Sequence, residues 1–154
     1  MEKEQDPRSL EEAIASLIPK DLLAQDIKDI GLDVCEISRI QKDIENGVFC
    51  IDNFTDEEIV YCEQARPPLL RAQRYAARFA AKEAVIKALG GIDREGFSYK
   101  DISVLKGEVT GKPYIFLDGK ARSRAESLGV KEILITFAHV KDLAVAVAFC
   151  KTVG

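Results

Sequence analysis

Leu69–Gly90, LLRAQRYAARFAAKEAVIKALG, decides how the rest of the chain is read. It is rich in Ala, Leu, Arg, Lys and Gln and has no Gly or Pro before its last residue, so it predicts a long helix. Pro67 and Pro68 start it, and Gly90-Gly91 stop it. Its charges are lopsided: Arg71, Arg74, Arg78, Lys82 and Lys87 stand against a single acid, Glu83. At roughly 100° per residue, Arg71, Arg78 and Lys82 share an arc of about 40°. Glu83 and Lys87 lie beyond the apolar ridge of Tyr75, Phe79 and Ile86. Alanines 76, 77, 80, 81, 84 and 88 cover much of the remainder and let a strand or helix approach closely. The plainest reading pairs Glu83 with Lys87 one turn on and leaves the arginines in solvent.

A second stretch changes the balance. Ile30-Gly31-Leu32-Asp33-Val34-Cys35 alternates as a strand, with Ile30, Leu32 and Val34 on one face and Gly31, Asp33 and Cys35 on the other. An acid inside an apolar strand costs several kcal/mol unless it has a partner or a metal.

Taken together, the two stretches resemble the holo-acyl-carrier-protein synthase family of 4'-phosphopantetheinyl transferases. The family's opening motif corresponds to Gly31-Leu32-Asp33-Val34-Cys35-Glu36-Ile37-Ser38-Arg39-Ile40. The second corresponds to Arg78-Phe79-Ala80-Ala81-Lys82-Glu83-Ala84, followed by Lys87-Ala88-Leu89-Gly90. Gly111-Lys112-Pro113 fits as well, and the likeness runs over about residues 28–150. It implies an enzyme that moves the 4'-phosphopantetheine arm of coenzyme A onto a serine of apo acyl carrier protein and releases adenosine 3',5'-bisphosphate. In this reading magnesium is the cofactor, held by Asp33 and Glu83 as the two carboxylates such an ion uses beside phosphate oxygens and water. Lys82 and Lys87 are point charges for the pyrophosphate, with Lys82 counted among the catalytic residues. Arg78 and His139 hold the 3'-phosphate end of coenzyme A, and Arg39 meets the carrier's acidic helix. Water at the metal, held or deprotonated by Glu83, takes the serine proton; which carboxylate does so stays open. The family's active site is shared between subunits of a trimer, so a homotrimer is expected, with a place in lipid metabolism and fatty acid biosynthesis.

Two departures stand out. Ile51, Asp52 and Asn53 occupy positions where many members carry basic residues, and Ala138 replaces a hydroxyl in Thr136-Phe137-Ala138-His139. They keep open a non-catalytic coenzyme A or carrier-binding module. A purely structural domain, with Glu83–Lys87 as a surface pair and Asp33 capping a turn, is the third reading.

Composition is consistent with a small globular protein: 154 residues, 47% hydrophobic, net charge −4. That balance is wrong for a general nucleic-acid binder. No apolar run approaches the roughly 18 residues of a membrane span, and no leader pattern is seen, so a soluble, cytoplasmic protein is expected. Cys35, Cys50, Cys62 and Cys150 are scattered, which predicts reduced, mostly buried thiols.

Along the chain, residues 1–25 are expected to form an N-terminal extension with an amphipathic helix headed by Ser9, and residues 26–154 a single transferase domain. A short helix or turn is expected over Ile40–Gly47, a helix from the Thr55 cap through Glu63, and a loop over Gly91–Lys100. Strands are expected at Asp101–Leu105 and Pro113–Leu117, and a short helix at Ala121–Leu128. Ile133–Ala138 and Leu143–Phe149 form a hairpin around a turn at His139-Val140-Lys141-Asp142. Antiparallel strands with one long Ala-rich helix make the fold class α+β.

Overall fold

The computed structural model describes residues 27–91 and 96–152, and the helix headed by Ser9 lies outside them. Among the described residues, five strands, five α-helices and one turn of 3-10 helix follow one another. β1 is Ile27–Glu36, α1 Ile37–Asp43, α2 Gly47–Asn53, α3 Asp56–Glu63 and α4 Pro68–Ala88. The 3-10 turn is Tyr99–Asp101; then come β2 Ile102–Lys106, β3 Pro113–Leu117, α5 Gly119–Ser127, β4 Glu132–Val140 and β5 Leu143–Lys151. One antiparallel sheet has the order β1-β5-β4, and β2 and β3 pair as a second. The chain is thus an α+β protein built round one long helix.

α4 begins with Pro68 at its first turn, where no amide hydrogen is needed. It ends where Gly90 takes a φ of +90 and donates to the Lys87 carbonyl, closing the last turn. The helix lies across β1 and β5, and small side chains on both sides of the contact set the distance. Ala76, Ala80 and Ala84 are fully buried on the helix, and Ala144, Ala146 and Ala148 on β5. Gly31 completes the fit: a Cβ there would stand 1.8 Å from the Ala84 carbonyl oxygen. Phe54 and Tyr75, both fully buried with ring centroids 4.9 Å apart, fill the other side of α4. Burial of side chains this large is worth about 1.5–3 kcal/mol each.

The boundaries differ from the sequence expectations in four places. Ile40–Gly47 contains the end of one helix and the start of another, because Asn46 accepts from the Val48 amide and caps α2. Asp101 belongs to the 3-10 turn, where it caps Ser98, and β2 starts one residue later. α5 starts at Gly119, capped by Asp118. His139 is a strand residue, since β4 runs to Val140 and the hairpin turns on Lys141-Asp142 alone, with Lys141 at φ 49. The Asp142 carbonyl accepts from the Ile37 amide at 2.8 Å and ties this turn to the start of α1.

Candidate active site

The two faces of α4 meet different neighbours. The cationic face packs against α3. Arg71 donates to Glu63 at 2.7 Å through one terminal nitrogen and at 2.9 Å through Nε, and Tyr75 donates to the same carboxylate at 2.7 Å. These bonds hold the Glu63 carboxyl below its ordinary range. Arg78 lays its guanidinium 4.0 Å from the centroid of the Tyr61 ring, with Arg74 at 4.4 Å and Lys106 at 6.0 Å from the same centroid. Arg78 is 4% exposed and its Nε has no hydrogen-bond partner. Beside it is a cavity of about 280 Å³ lined by Tyr61, Arg78, Lys106 and Tyr114 and by the acids Glu57, Glu58 and Glu108. Of these cations only Arg78 is buried, and a buried cation with an unpaired donor favours an anion.

Lys82 is the main correction to the sequence reading. Its side chain has no exposed surface and donates to Glu58 at 2.6 Å and to the Tyr99 carbonyl at 2.9 Å. Glu58 also accepts from the Thr55 amide at 2.9 Å and from the Val104 amide at 3.1 Å. The acid that closes the capping box of α3 is therefore also the counter-ion of a buried lysine. Burial shifts the Lys82 amine downward against the pull of Glu58. An ammonium enclosed in this way has no exposed surface, whereas Lys87 stands on the other face of α4 beside Asp33.

The far face of α4 looks onto β1. Because Gly31 lets the strand come so close, Asp33, two residues along on the same face, lies against the last turns of the helix. The Lys87 ammonium donates to the Leu32 carbonyl at 2.9 Å and stands 3.5 Å from Asp33 Oδ1. The Asp33 side chain is 17% exposed. Burial raises its pKa, Lys87 opposes the rise, and the negative charge of Glu83 adds to it. Glu83 Oε1 accepts from the Tyr99 hydroxyl at 2.6 Å. Burial first, and this bond second, push the phenol up, so it remains a proton donor. Arg39 stands at the margin, its side chain 58% exposed and its guanidinium 5.7 Å from the Phe79 ring centroid.

The structure brings Asp33, Glu83 and Lys87 together, with Arg39 beside them. Arg78 is on the α3 side of the helix. His139 is exposed on β4, in register through Ala144 with Cys35, two strand spacings or about 10 Å from β1. Tyr99, Glu58 and Tyr61 were not singled out as site residues in the sequence. For Tyr99 the available signal was an aromatic inside Ser98-Tyr99-Lys100-Asp101, a capping pattern in a stretch read as loop.

Asp33 and Glu83 offer hard carboxylate oxygens of the kind magnesium uses, and the charge of Glu83 is felt at Asp33. Among the described residues no group of three or more His, Cys, Asp or Glu is placed to hold a metal ion. The donor set fits an ion that completes its shell with substrate phosphate oxygens and water.

Comparison with known proteins shows the family. A model of the 4'-phosphopantetheinyl transferase superfamily matches residues 29–148. A holo-[acyl-carrier-protein] synthase of Ruminiclostridium cellulolyticum is 43% identical over 121 residues, 77% of this chain and 88% of the relative. That of Clostridium acetobutylicum is 39% identical over 123 residues, 79% of this chain and 95% of the relative. Among solved structures, the Bacillus anthracis holo-(acyl-carrier-protein) synthase in complex with CoA (3',5'-ADP) superposes with a TM-score of 0.67 at 30% identity, covering 82% of this chain and 98% of that one. The Plasmodium yoelii enzyme superposes with a TM-score of 0.72 at 29% identity, covering 83% and 97%. With its motifs folded onto one helix and one strand, the chain belongs to the holo-acyl-carrier-protein synthase family of the 4'-phosphopantetheinyl transferase superfamily.

Proposed function

We propose that this protein transfers 4'-phosphopantetheine from coenzyme A to a serine of an apo acyl carrier protein. The observation that carries the proposal is Asp33, half-buried beside Lys87 and repelled by Glu83, an arrangement that a structural domain gains nothing from keeping.

Asp33 and Glu83 would hold magnesium, which when bound neutralises charge on the pyrophosphate and orients it. Lys87, steadied by the Leu32 carbonyl, places a second cation at the same phosphates. Glu83 would accept the proton of the carrier serine, directly or through a water it holds. The serine oxygen bonds to the phosphorus that bears the pantetheine arm, the pyrophosphate P–O bond breaks, and adenosine 3',5'-bisphosphate carries away the electron pair. Catalysis of this kind is positioning and charge neutralisation.

Arg78 supplies an unpaired donor at its cavity for the 3'-phosphate, with His139 as its companion. Within one chain the two stand on different elements, which supports a site completed by a neighbouring subunit. Val34, Leu134 and Leu143, each more than 40% exposed, lie with Val145, Val147 and Phe149 on the sheet face turned away from α4. That apolar face is the surface on which copies of the chain assemble, as the expected homotrimer. Arg39, exposed at the rim, meets the carrier. No helix among the described residues is long and apolar enough to cross a membrane.

Incubation with coenzyme A, magnesium and an apo carrier, followed by intact-mass measurement of the carrier, tests the proposal. A gain of one phosphopantetheine, lost in Asp33→Ala and Glu83→Ala variants that still fold, is expected. Undiminished transfer in both variants removes the two-carboxylate site.

A further inference from the structure

Tyr99 is held from three directions. Its ring stacks on Phe79, with centroids 5.5 Å apart and planes 22° from parallel. Its carbonyl accepts from Lys82 at 2.9 Å, and Lys82 is itself fixed by Glu58 at 2.6 Å. Its hydroxyl donates to Glu83 Oε1 at 2.6 Å. Phe79 stands one helical turn before Glu83 on α4, so ring and hydroxyl grip the same stretch of helix. The 3-10 turn that presents Tyr99 is closed by the Ser98–Asp101 capping box.

We propose that Tyr99 is a positioning residue for the metal carboxylate: its hydroxyl fixes one oxygen of Glu83, and with it the plane of the carboxylate that faces Asp33. The buried Glu58–Lys82 pair acts on the site through the Tyr99 backbone. This assignment rests on the two-carboxylate reading above. A glutamate has three rotatable bonds, and a lone carboxylate beside Asp33 is driven by charge repulsion to swing away. The hydroxyl bond opposes that swing before any ion arrives, so the ordering cost is met during folding and not on binding. A purely structural role predicts something else: loss of the hydroxyl would lower stability and leave ion affinity as it was.

Tyr99→Phe keeps the ring on Phe79 and removes only the hydroxyl. The test measures Mn2+ binding by electron paramagnetic resonance in the presence of coenzyme A, for wild type and variant, beside the Mg2+ concentration giving half-maximal transfer and the melting temperature of each. Outer-shell partners of ligating carboxylates are typically worth 10–100-fold in metal affinity or activity. Mn2+ affinity about tenfold weaker, a matching rise in the Mg2+ midpoint and a nearly unchanged melting temperature are expected. At saturating Mg2+ the KM for coenzyme A stays as in wild type. Tyr99→Leu, which also loses the stacking, lowers the melting temperature as well. Wild-type Mn2+ affinity in Tyr99→Phe overturns the role of Tyr99 alone, as does a drop in melting temperature with affinity retained. No Mn2+ binding by the wild-type protein overturns the two-carboxylate reading, and this inference with it.

Discussion

Replacing Lys82 by Met separates a structural brace from a catalytic group. Lys82 and Glu58 both have side chains with no exposed surface, and their charged atoms are 2.6 Å apart. Taking one partner from a buried ion pair leaves the other charge uncompensated and costs about 3–5 kcal/mol. In a chain of 154 residues each kcal/mol lowers the melting temperature by about 2–4 °C, so Lys82→Met is expected to melt roughly 6–20 °C lower. Glu58 would keep its bonds from the Thr55 and Val104 amides, so the loss stays local and the fold survives. The double variant Glu58→Gln/Lys82→Met removes both charges and keeps a carbonyl oxygen for one of those amides, which bond to different oxygens of Glu58, and is expected to recover part of the loss. Urea unfolding of the three proteins at neutral pH gives the stabilities, and the carrier mass assay at a temperature where all are folded gives the activities. A Lys82→Met protein within about 1 kcal/mol of wild type yet inactive in transfer would refute this reasoning and return Lys82 to the pyrophosphate.

Asp33→Asn is expected to unfold at a higher urea concentration than wild type at neutral pH while losing transfer. A raised carboxyl pKa in the fold means stability is full below the ordinary aspartate value and lost as pH rises through the raised one, so the gap between the proteins should narrow in acid. Gly31→Ala forces a Cβ to 1.8 Å from a main-chain oxygen, which neither element can relieve by a side-chain move. A destabilisation of about 3 kcal/mol is expected from urea unfolding, with transfer falling further as β1 is pushed off α4. Cys35, Cys50, Cys62 and Cys150 are all buried, and burial pushes Cys35 up to about 11 and Cys62 and Cys150 up to about 12. A thiol reagent at pH 8 should find no fast-reacting cysteine in the native protein and four after denaturation.

What the sequence determined by itself is what rests on near neighbours in the chain. The long helix, its division into a cationic side and a Glu83–Lys87 side, and the alternation that puts Gly31, Asp33 and Cys35 on one face of β1 all follow from fixed angles per residue. So does the Thr55 cap at the start of α3, which the structure extends into a capping box with Glu58. The tertiary structure alone decided which charges those faces would meet. The arginines expected in solvent found Glu63 and Tyr61 on α3, Lys82 found Glu58 there, and Lys87, one turn from Glu83 on its own helix, stands beside Asp33 from 54 residues away in sequence. Lys82 and Glu83 are consecutive and look alike as letters, yet one is a buried brace and the other a carboxylate turned toward β1. A rotation of about 100° sends adjacent side chains to different neighbours, and what waits there depends on how distant segments pack. Tyr99 shows the same limit, since its hydroxyl gained a role only when an irregular stretch folded back over α4.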